Sequence, residues 1–534
     1  MPPLIIATAL TLVTLNSWHV LSEWFLNKPY ELFTGIAHYY GDYFLYTSHI
    51  AQGASHLSIF TQHLFTNETL RSTWIYWFNT LLGIWTHVGL NVFAIYNVAL
   101  VGIAFLLLYI LWVLVTHIFP SKPTLQIVAF ICITTASNFV NVKTGSLIAD
   151  FWFSPTPALN RLGGVPHQMF QTMLLLVSIM FFAHLLSAYK KLSFRHLLAV
   201  PTTYFLIISA FLSSTANPIH MLLVSMSATL ACIILYKKSR IHYLPLLFLL
   251  IPSLLGALIT NREFIHQPVL TAAKLWEDGQ NIQVSPLQFF LSLGPIGLLL
   301  PFGMKRYIKN LSPIRILIGL YTLLSLGIFF SSVPQMLTTT PVRWIGPASF
   351  LLLPILATEG LVAAAQFFHK LSHKKASITF WFTIMLILYI LFTVPSLMRQ
   401  IQARTLSFAT DRNIHLINHV PKNIIDGLTT IKLTRLNGVV LTDPELPIDV
   451  LVPTFTLHKT FTGHPIHTLY PHNKAGLQHA FFSQKMSTDE MTKFFRDHNI
   501  IYIIASPKNA SYIEQLPNVL LVTRNETMTV FIVH

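Results

Sequence analysis

The 534-residue chain is 53% hydrophobic and only 10% charged, with a mean hydropathy of +0.60, whereas roughly 25% charged residues is usual for a soluble domain. This excludes an ordinary water-soluble enzyme and points to a multi-span membrane protein. The net charge of +15 does not indicate nucleic acid, because the basic residues sit in short clusters between apolar runs, as topology signals do.

Cys132 and Cys232 both fall within apolar segments, so neither a disulfide framework nor a zinc site is implied. The first apolar stretch, starting near Leu4, lacks a basic n-region and a small-residue cleavage site, which predicts a retained first helix. Further segments of about 20 mostly apolar residues begin near Val92, Thr124, Val165, His196, Asn217, His242, Pro286, Pro313, Arg343 and Ser377. Eleven spans are therefore expected. Residues 74–89 are shorter and Trp-rich, and read as an interfacial helix.

Four basic clusters set the sides: Lys190, Lys191 and Arg195; Lys237, Lys238 and Arg240; Lys305, Arg306 and Lys309; Lys370, Lys374 and Lys375. Two spans separate each from the next, so all four face the cytoplasm under the positive-inside rule. Of the acids before residue 399, Glu23, Glu31, Asp42, Glu68, Asp150, Glu263, Glu277 and Asp278 then fall outside, and only Glu359 does not. An odd number of spans places the N-terminus in the cytoplasm and the tail outside it. The expected architecture is an all-α polytopic membrane domain over residues 1–398 and an extracytoplasmic α/β domain over residues 399–534. Residues 23–91 form the first exterior loop, with juxtamembrane helices.

The chain is organised around residues 39–69 of that loop, too polar to span a bilayer yet dense in aromatics and amides. The second exterior loop, 138–164, is broken by Pro and Gly and runs into Pro166, which suits the first turn of a helix. Later exterior connections fall at 213–220, 261–285 and 333–343. In the tail, β-branched runs near Val439, Ile500, Val519 and Met528 read as strands, and residues 488–498 as a helix.

No soluble-enzyme fingerprint is present: no phosphate-binding or dinucleotide-binding glycine loop, no His-Glu-x-x-His and no nucleophile elbow. Chemistry must be gathered across loops. Asp42, between Tyr40 and Tyr43, suits a general base toward an acceptor hydroxyl or a ligand for a divalent ion, and equally a helix cap or surface charge. Asp150, the lone acid of the second loop, would complete an oxygen–nitrogen metal site with Asp42 and His167. Arg161 and Arg343 suit a phosphate, or lipid headgroups toward which a lone arginine snorkels.

The loop pattern Asp42, Tyr46, Ile50, Gln52, Gly53, followed by Phe65, Thr66, Asn67 and Glu68, resembles the first exterior loop of GT-C type membrane glycosyltransferases. The likeness is closest to poorly characterised bacterial multipass members. Pro166-His167, Ser285-Pro286, Arg343, Gly463-His464, Lys474 and Phe481-Phe482 are similar too, so the resemblance covers most of the chain. It implies an enzyme of the bacterial-type plasma membrane that takes a sugar from a polyprenyl-phosphate donor and gives it to a glycan, lipid or protein acceptor outside the cytoplasm. Asp42 would be the base or metal ligand, with Arg161, His167 and Arg343 on the donor phosphate. Gln52, Glu68, Asp150 and His464 would support them, and a divalent cation, Mg²⁺ or Mn²⁺, is the implied cofactor. The chain departs from better-known members in having no second acid directly beside Asp42. Two rival readings are a transporter or flippase of lipid-linked sugars and a non-catalytic envelope scaffold.

Overall fold

The computed structural model describes every residue except 152–153, 189–193, 240–242, 281, 373–375 and 435. Of the basic clusters, Lys190, Lys191, Arg240, Lys374 and Lys375 lie outside the described residues, as do the side chains of Arg195, Lys237 and Lys238. The chain divides into two compact units. The first comprises Met1–Asn16, Val101–Arg262 and Glu277–Arg404, and the second Ser17–Leu100, Glu263–Trp276 and Thr405–His534.

A helix begins within a few residues of every expected span. Six are long and apolar enough to cross a membrane: Val92–Ile118, Pro166–Ala188, Pro218–Leu235, Leu244–His266, Pro347–Leu371 and Ile378–Leu406. Two further segments are pairs bent at a break, by 58° between Pro3–Asn16 and Trp18–Leu26 and by 100° between Pro286–Ser292 and Pro295–Lys309. The sharper break has a clear cause. Gly294 sits at φ +60°, where a Cβ would also lie 2.0 Å from the Ser137 carbonyl, and Pro295 starts the next helix. The remaining three, Pro123–Thr135, Pro201–Ala216 and Pro313–Phe329, are short, at 13, 16 and 17 residues. Long apolar side chains such as Phe380, Ile387, Leu391 and Phe392 are exposed along Ile378–Leu406, a surface that lipid tolerates and water does not. The chain is an integral, multi-pass membrane protein.

Inside the first unit, Pro295–Lys309 packs closely on Leu352–Leu371. A Cβ at Gly303 would strike the Leu356 carbonyl at 2.0 Å, and one at Gly360 the Leu299 carbonyl at 2.2 Å. Small residues let two backbones touch where lipid offers no hydrophobic drive to associate. Glu359 is buried there, but not alone. Arg315 Nη1 donates to its Oε1 at 3.1 Å and Arg306 Nε to its Oε2 at 3.2 Å.

The second unit carries a five-stranded sheet in the order Lys459–Thr460, Val439–Thr442, Ile500–Ala505, Thr529–Val533, Val519–Arg524. The first three strands run parallel and the last two antiparallel to their neighbours. Phe461, Phe481, Phe494, Ile503 and Phe531 form its core. The helix Thr488–Asp497 opens with a capping box between Ser487 and Glu490. A second, two-stranded sheet pairs Glu31–Phe33 with His419–Pro421. Ile378–Thr410 stays helical well past the change in composition near residue 398.

Residues 39–69 are not simply a loop: Tyr40–His56 is a helix of 17 residues. Its buried positions, among them Tyr43, Phe44, Thr47, Ser48, Ile50, Ala51 and Gln52, go all round the axis, so no amphipathic stripe advertises it. It lies against Trp77–Leu82 through two glycines. A Cβ on Gly53 would come within 2.1 Å of the Thr80 carbonyl, and one on Gly83 within 2.4 Å of the Ile50 carbonyl. Gly53→Ala is therefore expected to destabilise the protein by about 1–3 kcal/mol through overpacking. A lowered thermal midpoint in detergent checks this, and an unchanged midpoint would show that the two helices can part without cost.

Candidate active site

Asp42 occupies the first turn of Tyr40–His56, where the exposed N–H groups and positive dipole end of a helix favour a carboxylate. Its Oδ1 lies 3.1 Å from Nε2 of His464. The His464 ring is wholly buried, while the Asp42 side chain is 36% exposed and so can still meet a substrate. The His464 tautomer follows from its other nitrogen, Nδ1, which accepts backbone N–H bonds from Ile466 and His467, both at 3.1 Å. The proton therefore sits on Nε2 and is donated to Asp42.

Two more imidazoles flank the pair. The His467 ring stands edge-on to His464, with centroids 4.7 Å apart, and burial holds its pKa well below the usual value. His38 lies 2.6 Å from the Tyr96 hydroxyl, and burial draws its pKa down to about 4 against the pull of Asp42. Burial alone would raise the Asp42 pKa. The His464 hydrogen bond and the surrounding imidazoles outweigh it, leaving the carboxyl below its ordinary value. A cleft of about 410 Å³ in the same unit is lined by Tyr40, Asp411, Asn413, Asp449, Thr462 and His464. Burial pushes the Asp449 carboxyl up to about 6.

Asp42, His464 and His467 are close enough together to suggest a metal site. The tautomer argues otherwise: His464 Nε2 uses its proton toward Asp42 and has no lone pair for a cation. Mg²⁺ in particular asks for about six oxygen ligands in near-octahedral geometry, and this group offers one carboxylate. The three residues form a candidate metal-binding group whose donors do not suit Mg²⁺. Nor do Asp42, Asp150 and His167 form one of the metal-competent groups among the described residues, contrary to the sequence expectation.

The other expected site residues divide between the units. Gln52 clasps the backbone of Gln62, donating to its oxygen at 3.0 Å and accepting from its N–H at 2.8 Å, which pins the turn after the helix. Glu68 receives Lys474 Nζ at 2.8 Å and the Thr66 hydroxyl. Burial opposes its charge, yet these bonds leave its carboxyl below the usual value.

Asp150, Arg161, His167 and Arg343 belong to the first unit. Asp150 is in an exposed loop, and His167 is in the opening turn of Pro166–Ala188. Arg161 Nη1 donates to the carbonyls of Pro155 and Thr156 at 2.8 and 3.1 Å, its Nη2 donates to Ala136, and its guanidinium stacks on Phe350. With the side chain buried and both terminal nitrogens on backbone carbonyls, it fastens the second loop, while Nε has no hydrogen-bond partner among the described residues. Arg343 is partly exposed and faces Glu277 in a two-point pair, with Nε 2.9 Å from Oε2 and Nη2 on Oε1.

Sequence reasoning missed His38, His467 and Asp449. His467 had a readable signal in the His464-Pro-Ile-His467 spacing, whereas His38 and Asp449 had none apart from fold.

The chain shares its fold with solved membrane oligosaccharyltransferases. Among solved structures, the Archaeoglobus fulgidus oligosaccharyltransferase in complex with Zn and sulfate superimposes at TM-score 0.52 and 11% identity, covering 94% of this chain and 68% of that one. AglB from Archaeoglobus fulgidus, in complex with an inhibitory peptide and a dolichol-phosphate, gives 0.51 and 9%, covering 93% and 69%. ArnT from Cupriavidus metallidurans bound to undecaprenyl phosphate aligns over 99% of this chain and 97% of its own at TM-score 0.48 and 11% identity. No family model and no curated protein matches the sequence. At such identities the likeness establishes fold alone.

Proposed function

We propose that this protein is an inverting glycosyltransferase that moves a sugar from a polyprenyl-phosphate carrier to an acceptor outside the cytoplasm. The observation that carries the reading is the Asp42–His464 pair: a partly exposed carboxylate, fixed in direction by a buried imidazole that lines a cleft, in a chain of this fold. The proposed topology is eleven spans, with the N-terminus cytoplasmic and residues 399–534 extracytoplasmic. In the reaction an acceptor hydroxyl attacks the anomeric carbon of the donor sugar. Asp42 takes the hydroxyl proton as the new C–O bond forms, the bond from that carbon to the phosphate oxygen breaks, and polyprenyl phosphate departs. For the donor phosphate Arg343 is proposed as a separate candidate, because the two-point grip it gives Glu277 is one that a phosphate also accepts.

Purified protein in nanodiscs, given polyprenyl-phosphate-linked hexoses and pentoses with and without Mg²⁺ or Mn²⁺, tests this by mass spectrometry of the donor. Turnover is the expected result. Saturable binding of the carrier without turnover would favour transport or scaffolding instead. Transport calls for uncompensated ionisable groups within the spans, and the buried Glu359 is already balanced by two arginines.

The pH dependence follows from the lowered Asp42 pKa. A depressed folded pKa means the favourable contribution is present above the unfolded value of about 3.9 and lost as pH falls through the folded one. The acid limb of the transfer rate should thus lie below the ordinary carboxylate range. In His464→Phe the opposing effect of burial is unmasked and the limb should move upward. A limb that stays in place would remove His464 from the control of Asp42.

A further inference from the structure

A second group of side chains in the Asp42-bearing unit has no part in that chemistry. Glu23 lies in the helix Trp18–Leu26, His415 in the helix Arg412–Asn418, and His419 opens the strand His419–Pro421. One potential ligand atom from each lies within 4.8 Å of the other two. Glu23 Oε2 and His419 Nε2 are 3.0 Å apart, with side chains only 7% and 1% exposed.

The tautomer of His419 can be worked out as it was for His464, with the opposite result. Asn27 turns its amide nitrogen to the carbonyls of Lys28 and Glu31, both at 3.3 Å, so its Oδ1 faces His419 Nδ1 at 3.1 Å. An amide oxygen only accepts, so Nδ1 holds the proton and Nε2 presents a lone pair. That lone pair points at a carboxylate oxygen, and the Asn418 amide nitrogen is 3.5 Å away. Two buried acceptors in contact repel unless a positive charge lies between them.

We propose that this charge is a divalent transition metal of the zinc type, held by Glu23, His415 and His419. A shared proton would need only Glu23 and His419, yet a second imidazole, that of His415, converges, its ring centroid 4.7 Å from that of His419. Zinc bonds of about 2.0–2.2 Å set tetrahedral ligand atoms roughly 3.3 Å apart, close to the observed contact. Asn27 acts as the outer partner that fixes a ligating imidazole, a common arrangement around metals. Two nitrogens and one oxygen select Zn²⁺ and its neighbours over Mg²⁺. The exposed His415 leaves the remaining position to water. The ion would fasten residues 23–27 to 415–419, next to the point where Glu31–Phe33 pairs with His419–Pro421. The inference stands whether or not the protein transfers sugar.

The test uses the untagged full chain in detergent, stripped with chelator, dialysed and titrated with Zn²⁺ alone. Metal content and thermal midpoint are read for wild type, His415→Ala, Glu23→Gln and Asp42→Asn. Wild type and Asp42→Asn should bind one zinc per chain and melt higher with it, and excess Mg²⁺ should not compete. His415→Ala removes an exposed ring, so it should fold normally while losing at least tenfold in zinc affinity. Glu23→Gln should lose zinc as well. Equal zinc binding by His415→Ala, or none by folded wild type, would overturn the site and leave an imidazolium–carboxylate pair.

Discussion

Asp42→Asn should lower kcat/KM for sugar transfer by about a thousandfold, within the range ascribed to a positioned general base. The substitution is nearly isosteric, and the amide oxygen of Asn can still accept the proton on His464 Nε2, so the geometry around the first helical turn should survive. What is lost is the ability to take a proton. The fall should appear mainly in kcat, because the carboxylate acts as charge develops and contributes little to holding the donor. Size-exclusion profile and thermal midpoint should stay near wild type. Activity within tenfold of wild type would remove Asp42 from proton transfer and make Asp449, which lines the cleft, the next residue to test.

The largest stability effect is expected far from that chemistry. Arg315→Met or Glu359→Gln should each cost about 3–5 kcal/mol, because each strands buried charge without its partner. Arg315 donates to Glu359 and, through Nε and Nη2, to the Ile118 carbonyl at 3.3 and 3.1 Å, with its guanidinium over Phe119 and Tyr307. Glu359 is 1% exposed. The combined Arg315→Met, Glu359→Leu variant should be less damaged than the sum of the singles, since apolar side chains replace both halves of the pair. Arg306, 29% exposed, can turn to water once Glu359 is gone. Thermal midpoints of the three variants in one detergent decide it. Strict additivity would mean that the two residues act independently.

Much of the architecture was visible in the sequence because long apolar runs and β-branched runs report burial directly. Every expected span met a helix, and the strands near Val439, Ile500, Val519 and Met528 appeared in the sheet. Tyr40–His56 was hidden for the converse reason: polar and aromatic residues buried on all sides leave no periodic stripe. Asp42 stood out as an acid in an apolar setting, whereas its partnership with His464 depends on the fold. The bonds of Arg161 were not legible, because an arginine near a span looks the same in sequence whether it faces a phosphate or turns back on carbonyls five and six residues behind it. The Glu23–His419 contact, across 396 residues, leaves no local trace.

The imidazole that orients Asp42 is made 422 residues after it. At synthesis rates of about 5–20 residues per second, the aspartate waits roughly 20 to 80 s for its partner. A nascent or truncated chain can therefore insert its early helices and even meet a lipid carrier while its base remains unaimed. On the proposed mechanism, competence would arrive only once His464 has been made. A chain cut between the spans and the tail should be silent as either fragment, and should regain function only if the two halves find each other.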